Sequence, residues 1–493
     1  MTSPRRTTGV DWADARPSGP TAAAGGLRSA ATSWARFAVQ LTAMIVVARL
    51  IGPDEYGAAA ALLVAVTAAE VLRSGGITWL IAHDSALTPS AASMLHRIAV
   101  VAGLSLGAAW VIVGASPAAL PLAGGRWGPF AMAAVYVMAG YSAVPTAVLV
   151  RNLRLGAVGL AEISAALVSA TLAIAVAATG GGASALLVQA AGYAAVLCLS
   201  IRLLSPWRPG PREPLRQMRK QLVFAANASL TQVLEWAVRS LDRVFVAVLF
   251  GQAAAGFYVQ AAQLVTLPLE QVNGPLRRIA VPVLGRLQDQ PERFRTAFVA
   301  VLNLASATLW PAFATCVALA APIVEFAFGP QWSGTVPLFL AMLPAAFGLV
   351  IAGGTSVLAL ASGVAARQTR WDVLVNRPLL VLCFALGPVV GLQTMVLATS
   401  IVTVATAVPG FLWVAHRTPI RVTDLVGAVG APALTALLTG ATAAAIANYT
   451  APSGWALGWA AASALVTAGV GSCCSPRLRR NARLLSRRRG SER

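Results

Sequence analysis

The sequence predicts an all-α integral membrane protein of about 14 membrane-spanning helices with almost no soluble domain. Three observations carry this expectation. Hydrophobic residues make up 57% of the 493-residue chain and charged residues 11%, against about 25% charged in an ordinary soluble domain. The apolar excess is spread along the whole chain, with a mean hydropathy of +0.73. The basic residues, finally, recur in alternate short loops. A water-soluble core of this size needs a polar shell that this chain does not supply, so the bilayer is the solvent that fits.

A span needs about 20 mostly apolar residues to cross about 30 Å of hydrocarbon. Runs that satisfy this lie near 29–50, 57–82, 97–115, 128–150, 157–178, 183–204, 222–250, 256–285, 297–325, 334–362, 371–391, 393–415, 423–446 and 453–472. The boundary between the eleventh and twelfth is the weakest, marked only by Val390, Gly391, Leu392 and Gln393. The expected organisation is a disordered N-terminus over 1–27, a first lobe over 28–204, a basic linker over 205–221, a second lobe over 222–415, two further spans over 416–472 and a basic tail over 473–493.

Charge placement supports the count independently. With the N-terminus inside, carrying Arg5, Arg6, Arg16 and Arg28, the even-numbered loops hold Arg97, then Arg151 and Arg154, then Arg202 through Lys220. They continue with Arg286, Arg293 and Arg295, then Arg367 and Arg370, then Arg417 and Arg421. The tail from Arg477 to Arg493 falls on the same side, and Arg126 is the main basic residue on the other. This is the positive-inside pattern, with both termini cytoplasmic in a bacterial cytoplasmic membrane. Trp110, Trp127, Trp332 and Trp455 at span ends fit interfacial belts.

The net charge of +20 comes almost entirely from arginine, Lys220 being the one lysine. Because these cations sit in membrane loops, nucleic acid is excluded as a partner. The five cysteines, Cys198, Cys316, Cys383, Cys473 and Cys474, show neither metal-site spacing nor a disulfide framework. No cofactor or metal is expected. The polar residues after Arg5 and Arg6 lack the apolar stretch of a cleavable signal. His83, His96 and His416 all fall near inner ends and read as interfacial loop residues. The sequons at Asn227 and Asn448 read as chance. The expected outer loops are short, which argues against a membrane polymerase or ligase and for a non-enzyme.

An internal repeat is visible. Residues 47–57, VARLIGPDEYG, and 246–256, VAVLFGQAAAG, match at Val, Ala, Leu, Gly and the closing Gly, at an offset of 199. Each closes the first span of a six-span block, and two repeated halves meeting at a site is a transporter architecture. An ionised side chain at mid-bilayer costs about 2.5–3.5 kcal/mol on insertion scales, so charges within spans need a partner, a cavity or a task. Arg36, Glu70, Arg73 and Glu162 stand in the first half, and Glu235, Arg239, Asp242, Arg243, Glu270, Arg277 and Arg278 in the second. Glu235, Arg239 and Asp242 at i, i+4 and i+7 share one helical face, with Arg243 beside it. That ladder reads either as self-neutralisation that lets the helix insert or as the wall of a water-filled cavity. Arg277 and Arg278 read as snorkelling to headgroups. Pro268, Pro275 and Pro282 are expected to break the eighth span, and Gly353 with Gly354 to loosen the tenth.

These residues resemble the polysaccharide transporter branch of the multidrug/oligosaccharidyl-lipid/polysaccharide exporter superfamily, the lipid-linked oligosaccharide flippases of O-antigen and exopolysaccharide assembly. Ala48 through Gly57 is similar to the loop after that family's first helix, and Glu70-Val71-Leu72-Arg73 to its charged second helix. Leu241-Asp242-Arg243 with Leu249-Phe250-Gly251 resembles the seventh, and Gly256-Phe257-Tyr258 the start of the eighth. Leu287 through Arg293 and Phe328 through Trp332 resemble the turns before the ninth and tenth. Ser74 departs from the aspartate often found there. The resemblance implies two six-helix pseudo-repeat lobes around a central cavity, alternating access, and two peripheral C-terminal helices. It implies a flippase for undecaprenyl-diphosphate-linked oligosaccharides, with membrane lipids and polysaccharide polymerase or glycosyltransferase machinery as partners. Arg36, Arg73, Arg239 and Arg243 are the candidate diphosphate or cavity residues. Glu70, Glu235, Asp242 and Glu270 are the candidates for charge balance or ion coupling. A drug exporter of the same superfamily and a peptidoglycan-precursor flippase stay open as alternatives.

Overall fold

The computed structural model describes residues 19–84, 87–114, 127–152, 154–211 and 213–449, whose regular elements are all helices, with no strand among them. Arg126, the expected fourteenth span, the tail and its Cys473 and Cys474, and Arg5, Arg6 and Arg16 lie outside the described residues. In hydrocarbon every backbone N–H and C=O must be satisfied within its own segment, which leaves the helix as the spanning form for such apolar runs. In chain order the helices are α1 (Gly19–Leu50), α2 (Pro53–Ser74), α3 (Gly76–His83), α4 (Pro89–Gly114), α5 (Gly128–Arg151), α6 (Leu155–Ala178), α7 (Ser184–Leu204) and α8 (Arg219–Phe250). They continue as α9 (Gln252–Gly285), α10 (Pro291–Ala318), α11 (Ala320–Phe328), α12 (Thr335–Ala361), α13 (Ala365–Trp371), α14 (Arg377–Val390), α15 (Leu392–Ala415) and α16 (Val422–Tyr449). A π-turn over Asp372–Asn376 joins α13 to α14 into one span.

Eleven described segments are long and apolar enough to cross a membrane. They correspond to the expected spans except the seventh, eighth and fourteenth. α8 and α9 occupy the seventh and eighth positions and run for 32 and 34 residues. Neither is among the eleven. The described residues thus hold eleven apolar spanning helices and two further long helices, and the expected fourteenth span lies outside them.

Several expectations are corrected. The N-terminus is helical from Gly19, not disordered to residue 27, because Pro20 opens a helix that the alanines at 22–24 favour. The 205–221 linker is an ordered strap. The three prolines do not break α9, which runs unbroken through Pro268, Pro275 and Pro282. Spaced seven apart, they remove donors along one side only, which a spanning helix tolerates. Gly353 and Gly354 do not loosen α12; they let neighbours approach. An added Cβ would stand 3.0 Å from the Asn273 amide at Gly353 and 2.8 Å from Leu302 Cδ1 at Gly354. The eleventh and twelfth spans are separated by Gly391, whose φ of +85° suits glycine.

The chain divides into two compact units, Met1–Gly256 and Phe257–Arg493. In the first, α1 packs on α6, α4 on α5, α7 on α5 and α6, and α8 on α2 and α3. Small residues allow backbones to touch, as expected where lipid supplies no hydrophobic drive for helix association. An added Cβ on Gly140 would meet the Ala99 carbonyl at 2.3 Å, and one on Gly103 the Tyr136 carbonyl at 2.5 Å. The loops expected inside lie together at one end. Arg151 Nη1 donates to the Ile81 and Asp84 carbonyls at 2.8 and 2.6 Å, and the Gly210 N–H donates to Ser93 Oγ at 2.9 Å.

In the second unit α10 packs along α16 and α12 along α15. Arg295 grips Asp424 with two N–H donors at 2.9 and 3.0 Å, and Asn303 Nδ2 donates to the Ala428 carbonyl at 2.7 Å. α16 is therefore fastened to α10 on one side while Leu434, Leu437 and Leu438 face outward. The expected inside loops again share an end. Gln368 Nε2 donates to Ser356 Oγ at 2.7 Å, and the Arg367 guanidinium lies 4.1 Å over the Trp413 ring.

The repeat detected in sequence has a physical counterpart within the first unit. An added Cβ on Gly57 would stand 1.7 Å from the Gln252 carbonyl oxygen, and one on Gly256 2.2 Å from that of Pro53. The opening turns of α2 and α9 thus lie backbone on backbone. Gly57→Ala and Gly256→Ala are each expected to lower the thermal stability of the detergent-solubilised protein, by about 1–3 kcal/mol or more. Gly52→Ala and Gly274→Ala, where nothing stands within 4 Å, should leave the melting temperature within about 1 kcal/mol of wild type in the same assay.

Candidate functional site

In the first unit, the charges within α1, α2 and α6 form two ion pairs. α1 and α6 approach closely where Gly159 receives Thr32; a Cβ there would meet Thr32 Oγ1 at 2.5 Å. One helical turn further along both helices, Arg36 Nη1 donates to Glu162 Oε2 at 2.8 Å. On α2, Glu70 and Arg73 stand at i, i+3, the spacing that brings side chains together on a helix surface. Arg73 grips the Glu70 carboxylate with both arms, Nε at 2.9 Å and Nη2 on the other oxygen. Arg73 is buried, whereas the Glu70 side chain is 49% exposed and is the accessible end of the pair. Tyr193 on α7 lies close enough to interact electrostatically with Arg36, Glu70, Arg73 and Glu162, and Arg73 also feels Glu162.

Four helices thus contribute two guanidiniums, two carboxylates and a phenol within electrostatic range of one another. The formal charge of the cluster is zero, which answers the cost of placing ions in hydrocarbon. Each guanidinium remains a fork matched to carboxylate or phosphate oxygens. An incoming dianion would find both cations already held by carboxylates and would have to replace them.

α8 runs beside the charged turn of α2. Trp236 Nε1 donates to Thr67 Oγ1 at 2.9 Å, one turn before Glu70, and the Gly76 N–H donates to Ser229 Oγ at 3.1 Å. Gly76 permits this approach, since a Cβ there would meet the Ala225 carbonyl at 1.9 Å. Gly75, in extended conformation, divides α2 from α3, and Thr78 Oγ1 donates back to the Arg73 carbonyl at 2.8 Å. On α8, Asp242 Oδ1 accepts from the Arg243 backbone N–H at 2.8 Å. Arg243 Nε is buried with no hydrogen-bond partner among the described residues. Glu235 and Arg239 lie on the same helix, and their side chains are outside the described set.

Of the sequence candidates, Arg36, Glu70 and Arg73 come together in the cluster, while Asp242 and Arg243 stand on the neighbouring α8. Glu270 lies exposed on α9, as do Arg277 and Arg278, in the second unit. Two members of the cluster had no assigned role from sequence. Glu162 carried a signal as an acid in a span, but its partner lies 126 residues away. Tyr193 carried none, being a lone tyrosine in an apolar run.

Residues 46–337 match the family described as "Polysaccharide biosynthesis protein". A segment of 126 residues is 29% identical to an uncharacterised membrane protein in the cps region of Klebsiella pneumoniae, covering 26% of each chain. A segment of 132 residues is 24% identical to the lipopolysaccharide biosynthesis protein WzxC of Escherichia coli (strain K12), covering 27% of each. One of 166 residues is 22% identical to the teichuronic acid biosynthesis protein TuaB of Bacillus subtilis (strain 168), covering 34% of each. The matched segments thus span about a quarter to a third of these relatives. In fold, the chain resembles the lipid II flippase MurJ in an inward closed conformation, with a TM-score of 0.70 at 14% identity, over 90% of this chain and 98% of that one. It also resembles an inward-facing multidrug resistance MATE transporter, with a TM-score of 0.59 at 16% identity, over 78% and 94% of the two chains. The family match covers more than half of the sequence, and the chain is a member of the polysaccharide biosynthesis protein family, built as an all-α membrane protein on the fold shared by MurJ and the MATE transporters.

Proposed function

We propose that this protein is a flippase that moves undecaprenyl-diphosphate-linked oligosaccharide units across the cytoplasmic membrane for surface polysaccharide synthesis. The observation that supports this most directly is the neutral Arg36–Glu162 and Glu70–Arg73 cluster within the spans of a polysaccharide biosynthesis family member. In this reading the diphosphate displaces the carboxylate oxygen held by one N–H of Arg36 and the pair held by the fork of Arg73, and engages those same donors. The freed Glu70 and Glu162 then bind protons or a cation, which couples cargo to an ion without a separate site. Arg239 and Arg243 are further candidates for contact with the diphosphate, and Glu235, Asp242 and Glu270 for charge balance or ion coupling. The basic loops face the cytoplasm, both termini lie inside, and the lipid tail stays in the bilayer while the head crosses by alternating access between two six-helix lobes.

The cation–carboxylate exchange makes a specific demand on the Arg36–Glu162 pair. Arg36→Gln is expected to lower export of lipid-linked oligosaccharide at least about tenfold while inserted protein remains detectable, the order of loss expected when one charge-assisted contact is removed. The swapped variant Arg36→Glu/Glu162→Arg should recover the thermal stability of the wild type and not its export. A swap that restores both would assign the pair to architecture alone.

The reading as a whole is tested in a deletion strain by measuring which leaflet holds the lipid-linked oligosaccharide. Accumulation on the inner leaflet, reversed by the wild-type gene and not by an inserted Arg239→Ala/Arg243→Ala variant, is the expected result. An unchanged leaflet distribution with no loss of surface glycan, in a strain lacking any other flippase, rejects it and favours export of small molecules.

A further inference from the structure

The chain between α7 and α8 does not hang free. Trp207 is 2% exposed and meets His96 edge to face, with ring centroids 5.2 Å apart. Gly210 is tied to Ser93 on α4 at 2.9 Å. Met218 is fully buried in a cluster with Trp207, Leu95 and Val148, against which Leu222 packs. Glu213 is the single acid between residues 205 and 220. Its Oε2 accepts from the Thr88 and Ser90 hydroxyls at 2.6 and 3.3 Å, turned toward the start of α4.

This anchoring fixes a surface groove of about 590 Å³, lined by Leu215, Arg216, Arg219, Leu222, Val223 and Ala226. Neither Arg216 nor Arg219 forms an ion pair among the described residues, and both are exposed, as is the adjacent Lys220. With Glu213 engaged elsewhere, these cations have no local counter-charge among the described residues. From Leu222 onward the wall is apolar, and Val223 and Phe224 are about half exposed. Cations thus give way to exposed hydrocarbon within one turn of helix. A lipid makes the same transition at the boundary between its headgroup and its acyl chains. The lining offers no hydroxyl, amide or carboxylate, so it reads phosphate and hydrocarbon and has no group for a sugar.

We propose that this groove is a binding site for an anionic phospholipid. Its headgroup phosphate lies between Arg216 and Arg219, and the first part of an acyl chain lies on Leu222, Val223 and Ala226. The lipid supplies the missing counter-charge and holds the starting end of α8 at the membrane surface. The site is independent of what the protein transports.

The test is native mass spectrometry of the purified full-length protein delipidated in detergent and offered phosphatidylglycerol, phosphatidylcholine, undecaprenyl diphosphate or inorganic phosphate. Wild-type protein is expected to retain phosphatidylglycerol at least about tenfold better than phosphatidylcholine. Arg216→Gln/Arg219→Gln should erase that preference, whereas Arg293→Gln, a change at an exposed arginine whose guanidinium is engaged by Gln290, should keep it. If the double variant does not yield folded protein, Arg219→Gln alone should weaken the preference and Arg219→Lys retain it. Equal retention of the two phospholipids, or a preference untouched by both glutamine variants, overturns the proposal. So does competition by inorganic phosphate as effective as by lipid, or undecaprenyl diphosphate binding that phosphatidylglycerol cannot displace. The flippase reading stands or falls separately, on the leaflet distribution of the oligosaccharide.

Discussion

Arg36 and Glu162 find each other across 126 residues of sequence, and much of the first unit depends on that meeting. A guanidinium inside a span must bring its own solvent, and here the solvent is a carboxylate on another helix. The pairing requires α1 and α6 to run side by side in register, which the Thr32 and Gly159 contact one turn away allows. It also requires α2 to present its Glu70–Arg73 pair toward the same region and α7 to close around it with Tyr193. Buried ion pairs add little net stability, and breaking one leaves an uncompensated charge. Their retention therefore points to specificity of arrangement or to use.

Much of this architecture was legible in the sequence. Hydropathy placed the eleven apolar spans, some within two residues at both ends and others, such as Pro89–Gly114 and Pro291–Ala318, off by six to eight residues at one end or both, because a membrane-spanning helix is set largely by length and composition. The alternation of arginines sorted loops by side, and those loops do gather at common ends within each unit. The sequence was less informative wherever tertiary contact overrides local preference. Pro268, Pro275 and Pro282 look like breaks, and a spanning helix absorbs them. Gly353 and Gly354 look like hinges, and they are seats for Asn273 and Leu302. The Pro- and Arg-rich stretch at 205–221 reads from sequence only as a basic linker. It is an ordered strap because Trp207 and Met218 bury themselves, a fact that depends on α4 and α5 and not on the linker.

The candidate site divides along the same line. The i, i+3 pair Glu70 and Arg73 could be read directly, since helix geometry alone joins them. Glu162 could be identified as a charge in need of a partner, but nothing local named that partner. Tyr193 could not be identified at all. Even after the helices are placed, composition does not say which of several acids will face a given arginine, and that choice turns a list of intramembrane charges into a neutral cluster.

The contact between the opening turns of α2 and α9 is reciprocal. Gly57 meets Gln252 and Gly256 meets Pro53, and with the offset of 199 Gln252 is the counterpart of Pro53 as Gly256 is of Gly57. A patch that binds its own copy in this way is isologous, the form of interface that a two-fold dimer makes. A half-length chain with the same segment could have met a second molecule of itself through the same four positions, each substitution then felt twice. Fusion of two such copies frees the two sides to differ. The two segments differ at Pro53 and Gln252 and agree at both glycines, because only the absence of a side chain lets one backbone rest on the other.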